Sequence, residues 1–299
     1  MEKALFLSAL LTLSWPGIPL PDAAAFFAQR LQAPSSAPPP QPLKYAWLTR
    51  PYDARTALAA RFAPPAGCQR VAVPAGSFGE WLRYLPLRPA DTPVRLHNGQ
   101  LKNPQTVHAA VLDIDTGPRD LQQCADAVMR LRGEYLFGQD FRRIHFRLTS
   151  GYDAWFGDWV DGRRFQLQGE DVVPTTQPAE APTHAALRRY FDQVFTFAGS
   201  LSLSRELRPV ALAAMQPGDV LIKGGTPGHA VLVLDMAEHP KTHQRYALLA
   251  QSYMPAQDLH VLRNRHSSGL GAWFLVEPTA QWLETPEWNF SADQLKRWP

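Results

Sequence analysis

The chain has 299 residues, 45% hydrophobic and 19% charged, with a formal net charge of +3. That length can bury one large core or two modest ones, and the composition excludes a chain disordered throughout. The basic residues are scattered and the net charge is small, so no nucleic-acid partner is expected.

Residues 1–25 combine Lys3, an apolar run from Ala4 to Trp15 and the small residues Ala23, Ala24 and Ala25, which is the pattern of a signal peptide. The run is too short for a membrane helix of ~20 apolar residues, and no later segment approaches that length. The expectation is therefore an exported protein, periplasmic or extracellular, with no stable transmembrane segment. Residues 26–44 carry APSSAPPPQP, whose fixed φ angles and missing N–H groups favour an extended spacer. A single α+β domain is expected over 45–299, with a hydrolase-like core at 107–262.

The domain begins with a short helix in the second half of 45–62, ended by Pro64-Pro65-Ala66-Gly67. Short strands are expected at 69–73, 81–85 and 94–96, separated by Gly and Pro. Cys68 borders the first of these as a turn cysteine. Residues 107–114 form a further strand candidate that runs into Asp115-Thr116-Gly117. That tripeptide is shared with aspartic proteases, but their paired carboxylates need a second copy, which the chain lacks. A strand-end turn before a helix explains the same residues.

Residues 121–136 form the best predicted helix, with Leu121, Cys124, Ala125, Val128, Leu131 and Tyr135 on one stripe. Asp120 is the expected N-cap and Gln123 the far side of a capping box, which places Cys124 in or just after the first turn. Exposed N–H groups and the helix dipole favour a thiolate there. The other reading is a small hydrophobe on a core stripe. Cys68 and Cys124 are the only cysteines, and export would permit a disulfide. A turn cysteine and a helix-start cysteine have no evident reason to meet, so two free thiols are expected.

Residues 150–169, SGYDAWFGDWVDGRRFQLQG, alternate aromatics with Asp and Arg. Tyr152, Trp155 and Trp159 are candidates for a substrate-binding cleft rim, and an edge hairpin packed on the core suits the composition equally. Residues 183–198 read as an amphipathic helix closed by Gly199, and a shorter helix follows near 204–207.

Residues 216–235, QPGDVLIKGGTPGHAVLVLD, read as a hairpin: strand 220–222, a Gly/Pro break at 224–228, and a strand opened by His229. Alternation puts His229, Val231, Val233 and Asp235 on one face and Ala230, Leu232 and Leu234 on the other, so both faces are expected to be covered. An imidazole entering such a sheet needs a hydrogen-bonding partner. Residues 246–253, YALLAQSY, supply the next strand and carry Gln251 into apolar surroundings. His239 and His243 lie in a Pro-containing turn, so no metal site is expected there and no cofactor is implied. Strands at 259–262 and 273–276 follow, and the Trp-rich tail is expected to wrap the surface.

Cysteine hydrolases need a thiolate at a helix start, an imidazole within reach and a polar group that fixes the imidazole tautomer. Cys124, His229 and Gln251 occur in that order. Here the sequence resembles the NlpC-type, papain-like peptidases of bacterial cell-wall metabolism, over 120–136 and 217–253, with Gln123-Cys124-Ala125 where they carry Asp-Cys-Ser/Gly. It is more closely similar to an uncharacterised exported bacterial family with LQQCADAVMRLR, GDVLIKGGTPGHAVLV and AQSYMPAQ. The resemblance implies an antiparallel central sheet with packed helices, a papain-like core with insertions, and peptidoglycan stem peptide or another envelope component as partner. The implied activity is an amidase or peptidase with a Cys124, His229, Gln251 triad. The alternative is a non-catalytic envelope module with Cys124 in the core.

Overall fold

The computed structural model describes residues 44–168 and 171–299. The predicted signal peptide, and all of the predicted spacer except Lys44, lie outside the described residues. In chain order the elements begin with α1 (Leu58–Arg61), β1 (Gln69–Arg70), α2 (Phe78–Arg83), β2 (His108–Val111), α3 (Cys124–Phe137), β3 (His145–Arg147) and β4 (Asp153–Trp155). Next come α4 (Phe156–Val160), β5 (Arg163–Gln168), β6 (Asp171–Thr176), α5 (His184–Phe197), α6 (Ser200–Glu206), β7 (Arg208–Pro209) and β8 (Val220–Lys223). The last are β9 (His229–Glu238), β10 (Arg245–Gln251), β11 (His260–Leu262), β12 (Trp273–Val276), β13 (Trp282–Glu284), β14 (Asn289–Ser291) and β15 (Leu295–Arg297).

The fold is mixed α+β, built on a nine-stranded sheet ordered β2-β11-β10-β9-β8-β15-β7, with β1 on β9 and β12 on β10. Every pairing in it is antiparallel. The β8–β9 hairpin is its centre, as Val220, Leu221, Ile222 and the long apolar run after His229 require. Its two faces are both covered: Ala230, Leu232 and Leu234 join the larger core cluster, while Val231 and Val233 join a smaller one with Met215, Phe290 and Leu295.

The alternation holds only as far as Leu234. A bulge in β9 shifts the register against β10: Leu248 pairs with Asp235 and Leu249 with Val233, which leaves Leu234 as the extra residue. After it the parity reverses, so Met236 packs in the smaller cluster and Ala237 in the larger. Asp235 is thereby fully buried against Arg70 Nε at 2.7 Å and Arg83 Nε at 2.8 Å. An extra residue in one strand turns its side chains to the opposite face.

Two further expectations are corrected. Residues 81–85 are not a strand, because Ser77 Oγ accepts from the Glu80 N–H at 3.2 Å and starts α2, burying Trp81 and Leu82. Glu80 Oε2 in turn accepts from the Gly76 N–H at 2.6 Å, a second satisfied donor at the helix start. At 94–96 only single bridges form, Arg95 with Leu101 and Leu96 with Gln257.

Helix α3 lies on the larger-core side and packs against β9. It packs closely on Phe191 of α5 at Gly133, where an added Cβ would stand 2.5 Å from Phe191 Cζ. Arg130, fully buried, pairs within the helix with Glu134 at 2.6 Å and ties it to the preceding chain through Gln122 at 2.9 Å and Asp115 at 3.2 Å. Asp115, of the Asp-Thr-Gly turn, also pairs with Arg188 of α5 at 2.9 Å, so this carboxylate serves as a structural tie between elements.

Candidate functional site

Cys124 is the first residue of α3. The N-cap is Gln123, not Asp120 as the sequence suggests, because Asp126 three residues on accepts from the Gln123 N–H at 3.0 Å. Asp120 is engaged elsewhere, accepting from Ala256 N at 2.6 Å and from Gln123 Nε2 at 3.0 Å. The consequence for chemistry is small but definite: Cys124 sits at the very start of the helix, beside N–H groups that lack partners within it.

His229 opens β9 and is almost fully buried. Its Nε2 lies 2.9 Å from Oε1 of Gln251, the last residue of neighbouring β10. The imidazole therefore has the partner that its burial demands. Burial pushes His229 down to about 4, and the Lys102 charge adds to the lowering while the Gln251 hydrogen bond opposes it.

Cys124 and His229 line one cleft of about 490 Å³, together with Pro227, Tyr253, Met254 and Trp288. Both Cys124 and Cys68 are free thiols. No hydrogen bond joins the Cys124 thiol to the His229 ring among the described residues; His229 is bonded instead to Gln251. The expected lowering of the thiol pKa is overturned. Burial pushes Cys124 up to about 11, outweighing the opposing backbone N–H of Ala230. Desolvation disfavours the thiolate more than the helix terminus favours it.

Behind Gln251 stands a second layer that the sequence does not announce. Gln251 Nε2 lies 2.6 Å from Glu287 Oε2, and Glu287 Oε1 lies 2.6 Å from Lys102 Nζ. Lys102 is buried and stands over the Tyr253 ring at 5.5 Å. His260 Nε2 is 3.5 Å from Gln251 Nε2, and its Nδ1 is 2.8 Å from the Asp258 carbonyl. The Trp-rich tail does more than wrap the surface: the Trp288 and Phe290 rings stand 5.3 and 6.0 Å from the His229 ring, and the Tyr253 ring stands 4.7 Å from it.

Tyr152, Trp155 and Trp159 are not in this cleft. Trp159 is buried against Tyr190 and Phe165, with its Nε1–H donated to Glu180 at 3.0 Å and Arg164 over its ring at 4.0 Å. Tyr152 packs on Phe165, and Trp155 is a surface residue stacked on His145 at 4.3 Å. Of the two readings of this aromatic stretch, packing on the core describes Tyr152 and Trp159, because their rings are spent on neighbours within the fold.

Another cleft, of about 650 Å³, lies round Phe78, Arg132, Pro217 and Trp298 and is lined by neither cysteine nor histidine. Among the described residues no three His, Cys, Asp or Glu side chains gather into a metal-binding group, and no helix is long and apolar enough to cross a membrane. No curated protein and no solved structure matches the chain. The family model described as Domain of unknown function (4846) matches residues 58–297, and the chain belongs to that family.

Proposed function

We propose that the chain is an exported cysteine hydrolase, an amidase or peptidase acting on cell-wall peptide amides, with Cys124 as nucleophile, His229 as base and Gln251 as its orienter. The observation that carries this reading is the His229 Nε2 to Gln251 Oε1 contact of 2.9 Å in a cleft that also holds a helix-start cysteine. An NlpC-type, papain-like arrangement of the core and a periplasmic or extracellular site of action belong to the same proposal. The former is supported by the order of helix, hairpin and Gln251 strand, the latter by the signal-peptide pattern of residues 1–25. Peptidoglycan stem peptide is the proposed substrate, or another envelope component with a comparable amide.

The steps follow from the groups present. Cys124 sulfur adds to the amide carbonyl carbon while His229 takes the thiol proton, and helix-start N–H groups receive the developing oxyanion. Collapse expels the amine, which takes the proton from His229, and leaves a thioester on Cys124. Water, deprotonated by His229, adds to the thioester and releases the acid and the thiol. The thiol and imidazole both begin neutral at pH 7, so the proton moves as the carbon–sulfur bond forms.

A second reading, a non-catalytic envelope-binding module, is favoured by one observation: the Cys124 thiol is held neutral by burial and is not bonded to His229. Incubation with purified peptidoglycan fragments, read by mass spectrometry, separates the two. The hydrolase reading expects new amine and carboxyl termini that vanish in Cys124→Ala. Binding without cleavage, equal in parent and variant, would support the module.

A further inference from the structure

We infer that Glu287 and Lys102 are positioning residues that select the tautomer of His229, leaving Nδ1 as the base. Glu287, paired with Lys102 at 2.6 Å, is an acceptor-only carboxylate, and its Oε2 stands 2.6 Å from the Gln251 amide nitrogen. Only the NH2 end of Gln251 can face it. His260 gives the same answer: its Nδ1–H is donated to the Asp258 carbonyl at 2.8 Å, so its Nε2 is an acceptor, 3.5 Å from that NH2 group. With both N–H groups of Gln251 turned this way, its carbonyl oxygen faces His229 Nε2 at 2.9 Å. That ring nitrogen must carry the hydrogen, and Nδ1 keeps its lone pair.

The charged and titratable groups round His229 are Cys124 and Asp126 on α3 and Asp120 before it, which line the same cleft, Tyr253 and Gln251's partner Glu287 in the loops, Lys102 in the segment before β2, and His260 on β11. Glu287 and Lys102 do not line the cleft, so they act through Gln251 and touch no substrate. The catalytic consequence rests on the cysteine-hydrolase reading, because a wrong tautomer with intact geometry is sufficient to disable a histidine base. The tautomer itself does not depend on that reading.

The test is long-range proton–nitrogen NMR of the histidine rings at pH 7, where burial keeps His229 neutral, with the signal assigned by its loss in His229→Ala. Parent protein is expected to show Nε2 protonated and Nδ1 bare. Glu287→Gln, which can donate as well as accept, is expected to give a mixture of tautomers. Glu287→Asp, still acceptor-only, is expected to retain the Nε2–H form. An Nδ1–H ring in the parent overturns the inference, and that outcome needs no variant to fold. A Glu287→Gln spectrum identical to the parent, with circular dichroism confirming the fold, overturns it equally. Alkylation of Cys124, followed in Cys68→Ala protein, should fall about tenfold in Glu287→Gln. A tautomer shift with unchanged alkylation upholds the positioning assignment and counts against the hydrolase reading.

Discussion

Asp126 Oδ2 accepts the Gln123 backbone N–H at 3.0 Å, so the turn that presents Cys124 is closed by a carboxyl group buried inside the fold. Burial pushes that carboxyl well above the ordinary carboxylate range, and its Oδ1 has no partner among the described residues. A raised folded-state pKa means that the native state holds the proton more tightly than the unfolded chain. The associated stability is present below the unfolded value of about 3.9 and is lost as pH rises. Asp126→Asn keeps an acceptor for Gln123 and removes the ionisation. It should be more stable than the parent in urea at pH 8, with the difference shrinking toward pH 4. A constant difference across that range would contradict the buried-acid account.

The buried histidines act in the opposite direction. Burial pushes His229 down to about 4 and His260 to about 3, so the folded state favours their neutral forms. Stability is full above the unfolded value of about 6.5 and is lost as pH falls through the folded values. Denaturation between pH 6 and 4.5 should therefore show proton uptake on unfolding, visible as a urea midpoint that drops with acid. In His260→Gln the uptake should fall by about one proton. An unchanged slope would mean that His260 is not the neutral buried group described here.

Trp159 and Trp288 should separate cleanly. Trp159→Ala empties a core site and is expected to cost about 3–5 kcal/mol of stability, while Cys124 alkylation in the folded fraction stays at the parent rate. Trp288→Ala removes a cleft wall beside His229 and should change that rate. If Trp159→Ala alters Cys124 reactivity at full folding, the aromatic stretch reaches the site after all.

The hairpin was legible because its signals are local: apolar alternation, a Gly/Pro break and a histidine at the strand start. The same alternation misassigns Asp235, since the bulge at Leu234 arises only in the pairing of β9 with β10 and nothing in Val233-Leu234-Asp235 announces it. The Ser77 to Glu80 cap was present in the sequence as Ser-Phe-Gly-Glu, and β-propensity of Trp81 and Tyr84 obscured it. Cys124, His229 and Gln251 could be named because each sits on a periodic element. Lys102 and Glu287 could not, because each enters the site from irregular chain through contacts that only the assembled fold creates.

The most direct measurement is the alkylation rate of Cys124 against pH in Cys68→Ala protein, with and without His229→Ala. With His229 as base, the parent should react through a rate plateau that begins as pH rises above about 4, the value to which burial brings His229. His229→Ala should lose that plateau, be at least about tenfold slower at pH 7, and gain rate only as the thiol ionises toward about 11. Superimposable profiles in two proteins that both keep the parent circular dichroism would contradict the dyad.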